Sequence, residues 1–236
     1  MKGVDIWRVY DRSWLNGQGV PQTAVAELFV PASTHSIVES KSLKLYAGSF
    51  AMTQVGSQEE VANRMSDDLS LRLGGTVKVK LFSIQNYPGQ VKTMPGLSLD
   101  HLTLPAGGEI STYETEPGLL EFDPHSSEII QKTFSTTVFR SLCPVTGQPD
   151  LASVMINYKG RAISPEGLLK YLVSYRCHKG FHEQCVEQIY HDMRTVFQPE
   201  LLEVYACFTR RGGIDINPFR SSVREQPDEV IREMRQ

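Results

Sequence analysis

No run of 18 or more apolar residues occurs anywhere in the 236-residue chain, so no segment has the length and hydrophobicity of a membrane-crossing helix. The opening residues Met1-Lys2-Gly3-Val4-Asp5-Ile6-Trp7-Arg8 lack the apolar stretch of a secretory signal. A cytoplasmic protein with no membrane partner is expected. An excess of positive charge is also missing: 24 Lys and Arg against 27 Asp and Glu give a formal charge of -3, leaving no global field to hold a phosphate backbone. Nucleic acid is therefore not an expected partner. Cysteine is scarce, and Cys143, Cys177, Cys185 and Cys207 contain no C-x-x-C pair. A reducing compartment keeps such residues as thiols, so neither a disulfide framework nor a structural zinc is expected. A dinucleotide-binding glycine motif is absent too. Gly17-Gln18-Gly19 is followed by Val20, Pro21 and Gln22, which excludes a Rossmann site, and any nucleotide must bind another architecture.

What is present is an ordinary globular composition, with 40% hydrophobic, 22% charged and 9% aromatic residues. A chain of this length buries roughly 70 to 75% of its unfolded surface and needs no staple. The length fits one large domain or two small similar ones.

Sliding the sequence against itself gives an echo at an offset of 125 residues: Ser49-Phe50 falls on Ser174-Tyr175, Val61 on Val186, Asp67 on Asp192 and Val79 on Val204. Matches sharing one offset suggest a duplicated module. In the first half, residues 22–30 read as a strand, and the alternation of Thr76-Val77-Lys78-Val79-Lys80-Leu81 reads as another. Between them Ser57 caps a helix with Glu59 and Glu60 in its first turn, Val61, Met65 and Leu69 on one face, and Gly74-Gly75 as its stop. In the second half, residues 152–158 form a strand, and Ser164-Pro165 starts a helix with Leu168, Leu169, Leu172 and Val173 as its stripe. That helix is expected to end near Gly180. A second carries Val186, Ile189, Tyr190, Met193 and Phe197 on one face and stops at Pro199, before a strand over 201–208 and an extended stretch after Gly212-Gly213. The order strand, strand, helix, helix, strand, strand points to an α+β fold, antiparallel sheet with helices on one face. The polar tail 221–236 reads as a short surface helix or frayed end.

Cys143 stands in Cys143-Pro144-Val145-Thr146-Gly147-Gln148-Pro149-Asp150, a loop made rigid by two prolines and a glycine. A thiol with a carboxylate seven residues on can pair a nucleophile with a proton donor. Alternatively Asp150 caps the loop. Cys177, Cys185 and Cys207 read as buried small hydrophobes. Phe181-His182-Glu183 opens the second helix of its half, where a carboxylate either answers the helix dipole or points into a cleft. His35, His101, His125, His178 and His191 fall in no metal-ligand spacing and read as solvent-facing. Glu39-Ser40-Lys41-Ser42-Leu43-Lys44-Leu45-Tyr46 is either a solvated helix start or an anion site through Lys41 and Lys44. Thr209-Arg210-Arg211-Gly212-Gly213 offers similar chemistry, its glycines letting backbone N–H groups approach a phosphate.

Taken together, these segments resemble the NADPH-dependent 7-cyano-7-deazaguanine reductases of the queuosine pathway, the QueF nitrile reductases. Glu39 to Tyr46 fits the family signature E-S-K-S-h-K-L-Y, Cys143 to Asp150 the loop C-P-x-T-x-Q-P-D, and Phe181-His182-Glu183-Gln184 the substrate segment. Arg210-Arg211-Gly212-Gly213-Ile214-Asp215-Ile216-Asn217-Pro218 completes the set. The signature in the first half and the cysteine loop in the second resemble the long, two-module form. That resemblance implies two tandem tunnelling-fold modules, residues 1–112 and 113–236, with antiparallel sheets each backed by two helices, in a homodimer. Long members usually carry more residues ahead of the segment matching Asp5-Ile6-Trp7, a region able to contribute to the site or the dimer.

Carried over by position, the resemblance implies that Cys143 attacks the nitrile carbon to form a thioimide. It likewise implies that Asp150 protonates the nitrogen and that His182 orients substrate or relays a proton. Glu183 and Glu39 would bind the purine-like edge through paired N–H bonds, with Val38, Ser40 and His182 completing the pocket. Ser40, Lys41, Arg211 and Gly212 would hold NADPH. No metal is implied. Two other readings remain: a zinc-dependent purine- or pterin-binding enzyme of the same fold, which needs converging Cys and His ligands, and a cysteine hydrolase that turns the nitrile into an amide or acid.

Overall fold

The computed structural model describes all residues, 1–236. Strands β1 (Lys2–Leu15) and β2 (Pro21–Pro31) form a hairpin, followed by helices α1 (Ser40–Ser49) and α2 (Gln58–Leu73) and strand β3 (Lys78–Ser83). A two-residue strand, β4 (Leu97–Ser98), lies in the long connection to a second hairpin, β5 (Ile129–Leu142) and β6 (Pro149–Arg161). Helices α3 (Pro165–Ser174) and α4 (His182–Phe197) and strands β7 (Leu201–Phe208) and β8 (Ile214–Ser221) complete the fold.

Local chemistry sets the helix boundaries as read from the sequence. Ser57 accepts the Glu60 N–H at the start of α2, and Gly74 ends that helix at a φ of 70°. Ser164 accepts the Gly167 N–H, and Pro165 occupies the first position of α3. The α3 helix stops at Ser174, short of Gly180, and a 3₁₀ turn over Tyr175–Cys177 follows it. The offset of 125 recurs in three dimensions: α1 and α3 start 125 residues apart, as do the 3₁₀ turns at Phe50 and Tyr175 that end them.

The two halves do not form separate sheets. All eight strands join in one sheet of order β3-β2-β1-β8-β7-β6-β5-β4, because β8 pairs antiparallel with both β7 and β1. One pair, β4 with β5, is parallel. The expectation of two antiparallel sheets therefore gives way to a single mixed one, fused by a β1–β8 pairing between residues more than 200 positions apart, beyond the reach of local pattern.

The helices cover one face of this sheet with two apolar cores. One packs α1 and α2 on Trp7, Val9, Ala26, Leu28, Ile214 and Ile216; the other packs α3 and α4 on β5, β6 and β7. A smaller cluster, including Val4, Ile6, Phe29, Phe219 and Ile231, lies on the opposite face. Arg8 is buried there beside Glu27 and Asp215, at 3.3 and 3.4 Å, and donates to the Ile231 carbonyl. The tail is neither helix nor frayed end. It runs irregularly against this face, burying Ile231 and the Gln236 side chain, whose amide donates to the carbonyl of Phe208 at 2.9 Å. No helix is long and apolar enough to cross a membrane.

Candidate active site

The β5–β6 hairpin presents Cys143 immediately after β5. Its loop is closed by Cys143 N–H donating to the Gln148 carbonyl and Gly147 N–H donating to the Cys143 carbonyl, both at 2.9 Å. Gly147 takes a φ of 70°, which a side chain would resist. The closure folds Val145 and Thr146 back over the thiol. Burial pushes the Cys143 thiol up, but hydrogen bonds from the Thr146 hydroxyl and N–H, the Val145 N–H and Arg211 outweigh it and hold the thiol at about 7. An exposed cysteine without such donors titrates near 8.5.

Asp150, the second residue of β6, is 2% exposed. Its Oδ1 lies 3.0 Å from Arg211 Nε in an ion pair without a directed hydrogen bond, and its Oδ2 lies 3.3 Å from His182 Nε2. Arg211 thus touches both the thiol and the carboxylate. His182, the first residue of α4, stacks face to face on Phe208, with centroids 3.8 Å apart and planes 3° apart.

Opposite this group stands the start of α1. Glu39 caps that helix, accepting from Lys41 N–H at 2.8 Å and from Ser42 N–H and hydroxyl at 2.7 and 2.8 Å. These bonds, the Lys41 N–H first, hold the Glu39 carboxyl below its ordinary value. Ser40, Lys41 and Lys44 follow it along a cleft of about 330 Å³ shared with Cys143, Asp150, His182 and Arg211. The cleft is at the small end of the ligand-site range. Segments far apart in sequence therefore converge: the α1 start, the cysteine hairpin, the α4 start and the turn at Arg211.

Three expected site residues stand outside the cleft. Val38 lines a neighbouring groove between α1 and α2 that shares Glu39. Glu183 is 4% exposed and packs behind the cleft wall; burial, reinforced by the Asp5 carboxylate and opposed by Arg220, raises its carboxyl above the ordinary value. Gly212, at a φ of 59°, lies beside Lys44, whose Nζ would be 2.8 Å from a Cβ at that position. The sequence reading left out Thr146, signalled only by its place in the cysteine loop, and Phe208, which reads as the end of a buried strand. Cys177, expected inside, is exposed, because the 3₁₀ turn after α3 carries it off the packed face. His178, expected at the surface, is half-buried against Tyr175. No three His, Cys, Asp or Glu side chains group as metal ligands.

Residues 1–81 match the family described as nitrile reductase, 7-cyano-7-deazaguanine-reductase N-terminal, and residues 149–227 match the QueF-like protein family. The chain is 46% identical over 235 residues to the NADPH-dependent 7-cyano-7-deazaguanine reductases of Burkholderia mallei (strain SAVP1), Burkholderia thailandensis and Burkholderia lata. In each case the match covers 99% of this chain and 84% of the relative. A crystal structure of the archaeosine synthase QueF-Like in the apo form aligns with 40% of this chain and 92% of that one, at 19% identity and a TM-score of 0.35. The chain belongs to the family of NADPH-dependent 7-cyano-7-deazaguanine reductases.

Proposed function

We propose that this protein reduces the nitrile of 7-cyano-7-deazaguanine to the aminomethyl group, with NADPH as reductant, in queuosine biosynthesis. The carrying observation is the Cys143 thiol, held at about 7 by Thr146, Val145 and Arg211, in one cleft with buried Asp150 and His182. A nitrile is a weak electrophile that calls for a soft nucleophile at carbon and an acid at nitrogen. The Cys143 sulfur adds to the nitrile carbon; the π pair moves to nitrogen, which takes a proton from Asp150, and a covalent thioimide results. His182, beside Asp150, orients the substrate or relays a proton at the imine stage. Once the thioimide carbon has been reduced to a tetrahedral centre, the nitrogen lone pair re-forms C=N, expels the Cys143 thiolate and gives that imine.

The cleft also suits a phosphorylated dinucleotide. Lys41 and Lys44 bring exposed ammonium groups to it, and Gly212 leaves beside Lys44 a space that a Cβ would fill. Ser40, Lys41, Arg211 and Gly212 would hold NADPH, which supplies two hydrides in succession when bound. Glu39, Ser40 and His182 of the cleft, with Val38 from the adjoining groove, would hold the deazapurine, Glu39 releasing its own helix N–H groups to do so, and Glu183 would join them by turning out from behind the wall. A homodimer acting in the cytoplasm completes the proposal. So do two tandem tunnelling-fold modules, 1–112 and 113–236, supported by the repeated helix pairs.

The test is NADPH oxidation by the purified protein supplied with 7-cyano-7-deazaguanine, with the product weighed by mass spectrometry. Two NADPH consumed per amine formed is the expected result. An amide or acid formed without NADPH consumption would replace reduction by hydrolysis, and neither adduct nor oxidation would overturn both.

A further inference from the structure

The ring of Phe208 is fully buried at the end of β7 and lies flat beneath His182. A 3° angle at 3.8 Å is an almost parallel stack, a geometry aromatic pairs adopt less readily than offset or edge contacts, so the surroundings must hold both rings in place. They do. Phe208 pairs with Ala152 across β6, the next residue, Thr209, donates to the Leu151 carbonyl, and the Gln236 side chain donates to the Phe208 carbonyl. His182 is anchored as the first residue of α4. With one ring face covered, the imidazole plane is fixed, and in that plane its Nε2 edge lies 3.3 Å from Asp150 Oδ2.

The other nitrogen decides what this orientation is for. His182 Nδ1 is buried without any hydrogen-bond partner. Nδ1 is unpaired with or without a proton, but at Nε2 a lone pair would face the carboxylate oxygen, whereas a proton there meets it. We propose that Phe208 is a positioning residue for the reaction. It clamps His182 as the Nε2–H tautomer against Asp150, so that Nε2–H faces, and stabilises, the carboxylate left when Asp150 has given its proton to the substrate nitrogen. This inference rests on the nitrile-reductase reading for the identity of the reaction but not for the tautomer. In chemical terms, His182 keeps its single proton on Nε2 throughout, and the proton that Asp150 gives to the substrate nitrogen is replaced from water.

Two measurements test this. In the wild-type protein, nitrogen NMR of ring-labelled histidine should show His182 with its proton on Nε2; a proton on Nδ1 alone would overturn the inference whatever the enzyme catalyses. In Phe208→Leu, which keeps an apolar side chain but removes the flat face, kcat for NADPH oxidation should fall on the order of tenfold to a hundredfold. The KM for the nitrile and the Cys143 adduct seen by intact mass should be retained, and the pH profile of the reduction steps should broaden. Phe208→Tyr, which restores a flat ring, should recover most of the rate. Should Phe208→Leu lose its circular dichroism, the tyrosine variant and the wild-type tautomer still decide the matter. A folded Phe208→Leu protein with unchanged kcat and pH profile would reduce Phe208 to core packing. Absence of adduct in the wild type would instead count against the reductase reading.

Discussion

The two halves of the molecule share the order hairpin, helix, 3₁₀ turn, helix, strand and fill it with different chemistry. Each hairpin carries a bulge before an equivalent position: Arg12, opposite Ala24 after the break at Val9, and Phe139, opposite Ala152 after the break at Thr136. In the second half Phe139 packs at a tilt against Tyr175 in an apolar core. In the first half Arg12 lies 4.0 Å over Phe50, with its Nε and one terminal nitrogen unpartnered, and burial lowers it to about 10. The residue immediately after the first strand is Asn16 in one hairpin, where its side chain accepts from Gln18 and Val20, and Cys143 in the other. The helix pairs differ as well. Residues 117–122 lie over the groove between α3 and α4, Leu119, Leu120 and Phe122 joining the apolar core, while the groove between α1 and α2 is open beside Glu39. Bulges, hairpin closures and 3₁₀ turns preserve the scaffold, so side chains at matching positions were free to diverge. In the proposed reaction one half supplies the nucleophile and acid, the other the basic helix start facing them.

Removing the nucleophile has the largest expected effect. Cys143→Ala should abolish the mass-detected adduct and lower NADPH oxidation by roughly a thousandfold or more while the fold is retained. Adding Asn16→Cys to that variant should restore nothing, since the first hairpin is followed by Pro21 and Gln22 where the second has Pro149 and Asp150. An adduct at position 16 would break the comparison by showing that the duplicated scaffold alone activates a thiol.

A smaller effect tests what does activate it. The thiol at about 7 is held down by donors against the upward push of burial, so adduct formation should rise with pH, reach half its maximum at about 7 and level off above about 8. Thr146→Val removes one hydroxyl donor and should move the midpoint up, toward the ordinary thiol value near 8.5. A midpoint raised by one unit would slow adduct formation about fivefold at pH 7 and leave it unchanged above pH 9.5. The linkage has the same sign. A thiol whose folded value lies below its unfolded one contributes stability that is present at high pH and lost as pH falls through about 7, so at pH 8 the variant should also lose a small part of its urea midpoint. An unshifted pH profile would assign the activation to Arg211 and the loop amides.

Much of this was readable in the sequence, and the omissions share a cause. Caps at Ser57 and Ser164-Pro165 fixed helix starts because they act within four residues, and the cysteine loop and α1 signature were visible as contiguous motifs. Strand β1 was not anticipated. Asp5, Arg8 and Arg12 interrupt its apolar pattern, and their burial depends on partners such as Arg220 and Asp215, some 200 residues away. The single sheet was hidden for the same reason, since β1 and β8 meet only in three dimensions. The α1–α3 repeat at 125 was legible; that Glu183 would lie behind the cleft rather than in it, and that Phe208 would support His182, depended on packing alone.

The finest contrast between the halves is a duplicated hydrogen bond. Tyr46 donates to Asp68 Oδ2 at 2.6 Å between α1 and α2, and Tyr171 donates to Asp192 Oδ2 at 2.6 Å between α3 and α4. The first pair is exposed beside the open groove; in the second both residues are buried, and Tyr175 and Gln188 join the network. Removing a donor costs little where water can replace it and more where a carboxylate oxygen is left in a dry site. Tyr171→Phe should therefore cost about 1 to 3 kcal/mol and Tyr46→Phe about 0.5 kcal/mol or less in urea unfolding. Gln188 still donates to Asp192 Oδ1, which keeps the larger loss at the lower end of its range. Equal costs would mean that the cover over α3 and α4 admits water as freely as the open groove does, and the contrast between a sealed and an unsealed helix pair would then fail.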